Sequence, residues 1–314
     1  MTTETTRLPG LGARAPRVAS KASKAGGTRE ASRRRELSPE RGHPVGKMTT
    51  RGMLRAFTAG VVVFLVAPLL VVLMTAFTTL NYISFPPRGF TLRWFVELLS
   101  RDELIESFVL SAAIAAVTAG VSTLLGGSLA LAFVRYRFPG RELLNAFFMS
   151  PLILPTVVLG IALLQFYSQL RIGGVPLSTT PASLVIGHII ITVPYAIRLI
   201  SASLAGLDRS IELAARSLGA SPVGAFIRVT LPLMTTGLLG SAVFTFIVSF
   251  DNITVSVFLA TPRMVTLPVR IYTMVENVTT PLLAAVSAVL MVFTMGAIVL
   301  IERTLGVRRL VSGG

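Results

Sequence analysis

The sequence predicts an all-α polytopic membrane protein, and two observations carry that prediction. Its residues are 53% hydrophobic and only 14% charged, with a mean hydropathy of +0.75, which is far more apolar than a soluble globular domain. Six apolar segments are also each long enough to cross about 30 Å of hydrocarbon at about 1.5 Å per residue. The predicted transmembrane helices occupy about 57–79, 107–134, 144–170, 182–204, 236–258 and 282–302.

Prolines and small residues inside these segments indicate how the helices pack. Pro151 and Pro155 lie within the third segment, and a membrane helix is expected to kink at such prolines rather than end there. The second segment is dense in alanine and glycine, which permits the close approach of neighbouring helices. We therefore expect the second helix to lie at the centre of the bundle.

The predicted domain organisation is a basic tail followed by a membrane domain. Residues 1–50 lack apolar periodicity and are expected to be a disordered cytoplasmic tail, whereas residues 51–310 form the transmembrane domain. Residues 1–55 hold 13 Lys and Arg against 4 Asp and Glu, which favours a polybasic arm resting on anionic lipid. A twin-arginine export signal in the tail and a translation start at Met48 or Met53 are the alternatives.

Positively charged residues near the helix ends predict the orientation in the membrane. With the N-terminus inside, one side holds the basic tail and the arginine-rich turns after the second, fourth and sixth segments. The opposite side keeps six arginines, Arg88, Arg93, Arg101, Arg171, Arg263 and Arg270. We therefore expect a multi-pass protein of the bacterial cytoplasmic membrane with both termini in the cytoplasm.

Asp208 to Pro232, here called the 208–232 interval, lies between the fourth and fifth segments on the expected cytoplasmic side. Ile211, Ala214 and Leu218 fall on one apolar stripe with a 3.6-residue period, which predicts an amphipathic helix.

Residues at the ends of this stripe predict where the helices begin and end. Asp208 suits the N-cap, and Gly219 suits the left-handed position after the last turn. A second helix is predicted to begin at Ser221 and to end at Pro232.

This interval resembles the Glu-Ala-Ala loop of ABC importer permeases, in which E-A-A is followed by three residues, then by G, then by nine residues and I-x-L-P. The residues that match the pattern are Ala214, Ala215, Gly219, Leu231 and Pro232. Leu213 stands where the family has glutamate, and Val229 replaces the isoleucine. Glu212 is one residue early, about 100° away on a helix, and is expected to pair with Arg216.

The resemblance implies a fold and a set of partners. The expected fold is the type I ABC importer permease, with six transmembrane helices and a cytoplasmic coupling-helix loop. The expected partners are an ATP-binding ABC subunit, a second permease subunit, an extracytoplasmic solute-binding protein and membrane lipid, but no nucleic acid. The sequence has no G-x-x-x-x-G-K-[ST] motif, so ATP is expected to bind the partner ATPase and this chain is expected to hold no cofactor.

A narrower resemblance, over residues 249–281, is to the second-subunit type of spermidine/putrescine permeases, which carry an acidic pair in the fifth helix. Asp251 matches the first acidic position, and Asn252 occupies the second. Charged groups inside a membrane are costly, so Asp251 is the candidate contact for a cationic solute, with Asn252 beside it. A buried structural polar cluster is the alternative.

Other functions are less compatible with the residues present. Without cysteine, and with only His43 and His188, the chain offers no nucleophile–base pair or metal cluster, so neither an enzyme nor a metal site is expected. His188 is expected to be a satisfied interior histidine. The remaining alternatives are a permease for another small solute, such as an amino-acid derivative, an opine or ferric iron, and a stand-alone secondary transporter.

Overall fold

The computed structural model describes residues 45–277 and 280–305, and helices dominate this part of the chain. Most of the predicted tail, residues 1–44, lies outside the described residues. Residues 45–50, which the sequence also assigns to the tail, are helical and form the start of the first helix.

The described helices are α1 Val45–Thr75, α2 Arg93–Leu99, α3 Asp102–Arg135, α4 Arg141–Met149, α5 Thr156–Gln169, α6 Pro181–Ala205, α7 Arg209–Ser217, α8 Pro222–Ala225, α9 Leu231–Phe250, α10 Thr254–Leu259, α11 Leu267–Asn277 and α12 Pro281–Leu305. A π-helix, Phe226–Thr230, connects α8 to α9. Between α5 and α6, strands β1 (Arg171–Ile172) and β2 (Val175–Pro176) form a small antiparallel hairpin.

The chain divides into two units, Met1–Val62 and Val63–Gly314. The described part of the first unit is the beginning of α1, and the second unit contains the helices that build the candidate sites. Within the second unit, residues 63–70 of α1 expose their apolar side chains. Exposed apolar surface of this extent is typical of a face covered by lipid or by another protein.

Within the described residues, four stretches are long and apolar enough to span a membrane, and a fifth is counted if α4 and α5 together make one span. The four stretches are Arg51–Thr75, Asp102–Arg135, Pro181–Ala205 and Pro222–Phe250. The predicted sixth segment, 282–302, coincides with α12.

The third predicted segment, 144–170, is not one kinked helix. The direction of the chain changes by 102° between residues 141–152 and α5. Pro155 is extended, with ψ of 124°, and lies just before α5 begins. A proline disfavours the helical conformation of the residue before it, here Leu154, and both Pro151 and Pro155 lack a backbone N–H. The two prolines together therefore end one helix and start another.

The second predicted segment lies at the centre, as expected, because α3 packs closely against α6. A Cβ built on Gly126 would lie 2.5 Å from Cβ of Ala196 and 3.0 Å from its carbonyl carbon, so only glycine permits this approach. Ser122 of α3 and Thr192 of α6 are buried, and their hydroxyl oxygens are 2.7 Å apart. Small residues and buried hydroxyl pairs are the usual means by which membrane helices associate.

The end of α9 is held by aromatic packing against α3 and α12. The ring of Phe250 lies 5.8 Å from that of Phe108 in α3 and 5.4 Å from that of Phe293 in α12. These contacts belong to an apolar cluster that also contains Leu267 and Leu282. The position at which α9 ends is therefore fixed by its neighbours.

We predict that Gly126→Ala lowers the free energy of unfolding by about 1–3 kcal/mol, because the added methyl group overpacks the contact with α6. The thermal melting temperature in mild detergent measures this effect. Gly120→Ala is the matched control, because Gly120 lies in the same helix and a methyl group added there would have no atom within 4 Å. Equal melting temperatures for the two variants would contradict close packing at Gly126.

Candidate functional site

The 208–232 interval begins with a capped amphipathic helix, as predicted. The backbone N–H of Ser210 donates a 2.8 Å hydrogen bond to Oδ1 of Asp208, which makes Asp208 the N-cap of α7. This hydrogen bond from the Ser210 backbone lowers the pKa of the Asp208 carboxyl group. Gly219 follows α7 with φ of +94°, the left-handed conformation that favours glycine. The backbone N–H of Gly224 then donates a 3.1 Å hydrogen bond to Oγ of Ser221, the cap of α8.

The prediction that Pro232 ends the second helix is wrong. The chain continues from α8 through the π-helix into α9, and the N–H of Leu231 donates to the carbonyl oxygen of Phe226, five residues earlier. Pro232 lacks the N–H that an α-helix would use, and a local π turn is a known way to accommodate such a gap. The second half of the interval is therefore the first part of a long helix.

The apolar stripe of α7 faces away from the rest of the described chain. Ile211 is 48% exposed and Leu218 is 89% exposed, and Ala214 between them is also exposed. Ala215 and Glu212 are half-buried on an adjacent face of the helix. The described residues of this chain therefore leave Leu218 almost entirely uncovered.

The remaining predicted residues of the interval are also accessible. Leu213, which occupies the family glutamate position, is 49% exposed, and Leu231 is 37% exposed. Pro232 and Gly219 are exposed as well. Together with the stripe, they give this end of the chain a surface rich in accessible apolar groups.

The expected pair between Glu212 and Arg216 does not form. Oε2 of Glu212 instead accepts a 2.8 Å hydrogen bond from Oγ1 of Thr230 and lies 3.7 Å from Nη2 of Arg135. Arg216 is exposed on the outer part of α7. The one-residue displacement of the glutamate thus places its carboxylate against α3 and the π-helix.

Asp251 does not lie inside a transmembrane helix, contrary to the prediction. Helix α9 ends at Phe250, Asp251 is its C-cap residue, and the next helix, α10, begins at Thr254. The predicted span 236–258 is therefore interrupted. The N–H of Val255 donates a 2.9 Å hydrogen bond to Oδ1 of Asn252, which stabilises the start of the new helix.

His188 connects the two sides of this interruption. Nδ1 lies 2.7 Å from Oγ of Ser249, before the break, and Nε2 lies 2.9 Å from Oγ of Ser256, after it. Ser256 donates its own hydroxyl hydrogen to the carbonyl oxygen of Asn252, so its oxygen accepts from His188. His188 therefore carries its proton on Nε2, and Ser249 donates to Nδ1. The prediction of a satisfied interior histidine is confirmed.

Asp251 lines a cavity of about 850 Å³ between α1, α9, α11 and α12. Apolar side chains make up most of the wall, and Tyr272, Ser287 and Thr294 add hydroxyl groups. Within the described part of the chain, the Asp251 carboxylate has no ion-pair or hydrogen-bond partner. Asn252 does not line this cavity. The structure thus brings only one of the two predicted pathway residues to a space that could hold a ligand.

Sequence reasoning missed the role of His188 at the break. Ser249 and Ser256 lie seven residues apart, one on each side of the break. This spacing is the feature of the sequence from which a shared partner for the two serines could have been predicted. The histidine thus joins two serines, one on each side of an irregular backbone segment, by hydrogen bonds.

Comparison with known proteins identifies the family. Residues 122–310 match the family described as binding-protein-dependent transport system inner membrane component. The chain belongs to this family. The matched residues include the whole 208–232 interval and the break at Asp251.

Several relatives of this inner membrane component have been named. It is 29% identical to the spermidine/putrescine transport system permease protein PotC of Haemophilus influenzae, over 78% of this chain and 93% of that protein. It is 30% identical to the putrescine transport system permease protein PotI of Escherichia coli K12, over 73% of this chain and 82% of that protein. Identity is 36% to a probable molybdenum ABC transporter permease protein of Haloferax volcanii, over 65% of this chain and 78% of that protein.

Solved structures confirm the predicted fold. A chain of a bacterial ABC transporter involved in the import of the acidic polysaccharide alginate superposes with a TM-score of 0.65 at 14% identity, covering 86% of this chain and all of that chain. A chain of an amino acid ABC transporter gives a TM-score of 0.52 at 18% identity, covering 68% of this chain and 98% of that chain. The inner membrane component thus has the type I permease fold.

We predict that His188→Ala lowers the free energy of unfolding by about 1–3 kcal/mol, because it removes one hydrogen bond from each of two buried serines and leaves the Ser249 hydroxyl group unpaired among the described residues. Thermal melting in mild detergent measures the loss. Adding Ser249→Ala to His188→Ala should recover part of it, because the unpaired hydroxyl group is then removed. An unchanged melting temperature for His188→Ala would show that the break does not depend on this histidine.

Proposed function

We propose that this chain is the membrane-spanning permease subunit of an ABC importer that translocates a small cationic solute, a polyamine such as putrescine or spermidine. The observation that carries the proposal is Asp251, a carboxylate at a helix break that has no partner among the described residues and faces a largely apolar cavity. The names of the polyamine permeases that the chain resembles over most of its length support the same solute class.

The chemistry of the cavity favours an alkyl chain with positive charge. A carboxylate at membrane depth is costly unless a positive group compensates it, and an ammonium group supplies that compensation. The apolar walls suit the methylene groups between the amines of a polyamine. An oxyanion, which the name of the molybdenum relative suggests, would instead be repelled by Asp251.

The energy for transport is proposed to come from a separate ATPase subunit that binds ATP and docks on the 208–232 interval. The exposed stripe of Ile211 and Leu218, continued by Val223 (66% exposed), offers an apolar surface for a cleft in that subunit. Arg209 and Arg216 are exposed on the same helix, and the excess of positive charge supports a cytoplasmic location for the interval and for both termini.

The complete importer is proposed to contain a second permease subunit and an extracytoplasmic solute-binding protein. Its activity can be tested by co-expressing the chain with these partners and the ATPase and reconstituting the complex in liposomes. ATP-dependent uptake of radiolabelled putrescine or spermidine is the expected result. Uptake of molybdate but not of polyamines would overturn the proposed substrate, and absence of a bound ATPase would overturn the importer itself.

We predict that Asp251→Asn lowers the initial rate of polyamine uptake by at least about tenfold, because the cation loses its charged partner in the cavity. The amount of assembled complex should be unchanged. Glu106→Gln is the matched control, because Glu106 is an exposed carboxylate that does not line this cavity. Equal uptake kinetics for Asp251→Asn and the wild type would remove Asp251 from the pathway.

We predict that Gly219→Asp abolishes most ATP-dependent uptake, because a side chain strains the left-handed turn and places a charge at the proposed docking surface. Uptake and the amount of co-purified ATPase are the measurements. Gly173→Asp introduces the same side chain at another left-handed glycine, with φ of +60°, in the β1–β2 turn. Normal uptake by the Gly219 variant would count against ATPase docking at the interval.

A further inference from the structure

Glu212 joins three parts of the chain at one carboxylate oxygen. It belongs to α7, its Oε2 accepts the 2.8 Å hydrogen bond from Thr230 in the π-helix, and the same atom lies 3.7 Å from Nη2 of Arg135 at the end of α3. The π-helix continues directly into α9. The carboxylate therefore connects α7 with the ends of two of the helices that pack together at the centre.

The surroundings of these groups show that the contact faces inward. Thr230 is 2% exposed, and the side chains of Arg135 and Glu212 are 11% and 26% exposed. Nε of Arg135 is buried without a hydrogen-bond partner among the described residues, so Glu212 supplies the carboxylate that this guanidinium group faces. The neighbouring Leu213 and the apolar stripe point outward instead.

We propose that Glu212 is a positioning residue that transmits movement of α7 to α3 and α9, and that it does not contact the ATPase directly. This inference rests on the proposed docking of an ATPase to the 208–232 interval. When the ATPase displaces α7, the hydrogen bond to Thr230 carries the displacement into the π-helix and α9. The ion pair with Arg135 carries the same displacement into α3.

The contacts of Glu212 are better suited to transmitting movement of α7 than to stabilising the fold. A partly exposed ion pair with atoms 3.7 Å apart adds little to the stability of the fold. It does, however, fix the direction in which α7 is attached, because a hydroxyl group and a guanidinium group from different helices converge on one oxygen. Loss of the Glu212 contacts should leave a folded chain in which α7 moves independently of α3 and α9.

The test is the number of solute molecules imported per ATP hydrolysed by the reconstituted complex. Glu212→Arg and Arg135→Glu should each lower this ratio by about tenfold. A change of this size corresponds to a typical coupling free energy between two sites. The double variant Glu212→Arg with Arg135→Glu should recover most of the ratio, because the charges are exchanged and the Thr230 hydroxyl can accept from an arginine. Each complex should still bind the ATPase and hydrolyse ATP.

Arg137→Glu is the matched control, because it makes the same charge change two residues beyond Arg135 at an exposed position without an ion pair in the described chain. It should leave the ratio unchanged. Thr230→Val, which removes only the hydrogen bond, should give a smaller reduction, and it replaces Glu212→Arg as the test if that variant does not fold.

Three results would overturn the proposal: an unchanged ratio in both single variants, no recovery in the double variant, or loss of ATPase binding by folded Glu212→Gln. The last result would place Glu212 in the docking surface itself. Failure of the wild-type complex to bind any ATPase is a different outcome, because it removes the proposed function and this inference together.

Discussion

The close contact between α3 and α6 is the interaction on which the rest of the described membrane domain depends. Between membrane helices, van der Waals contact and buried hydrogen bonds replace the hydrophobic effect as the main source of association. Gly126 allows the backbones to approach, and the hydroxyl pair of Ser122 and Thr192 adds a directional contact. Helix α9 packs against α3 and α6, because Met234 of α9 belongs to the same apolar cluster as Ala130 of α3 and Ile200 of α6.

Both candidate sites follow from this arrangement because they lie at opposite ends of α9. One end continues from the π-helix and contacts Glu212, and the other ends at Asp251. A helix of 20 residues is about 30 Å long, and a packed helix of that length moves as a rigid body. The surface proposed for the ATPase and the carboxylate proposed for the solute are therefore joined by a single element.

Features that depend on near neighbours in the sequence could be predicted, and those that depend on distant residues could not. The caps at Asp208 and Ser221 and the turn at Gly219 involve residues within a few positions, so their residue types were sufficient. The break at Asp251 and the partner of Glu212 depend on His188 and Arg135, which only tertiary packing brings near. The π-helix could not be predicted either, because a proline such as Pro232 is compatible both with the end of a helix and with a π turn inside a longer helix.

The bend between α4 and α5 has a consequence for the lipid around the protein. Helix α5 has 14 residues and is about 21 Å long, whereas the hydrocarbon layer is about 30 Å thick. A helix of this length that crossed the bilayer alone would require the bilayer to thin beside it, whereas residues 141–152 and α5 together make a longer apolar stretch. Ile153 is 82% exposed at the bend, so an apolar side chain is available there for contact with lipid or with a neighbouring protein. The thickness of the membrane is thus a physical variable that bears on how this part of the permease is accommodated.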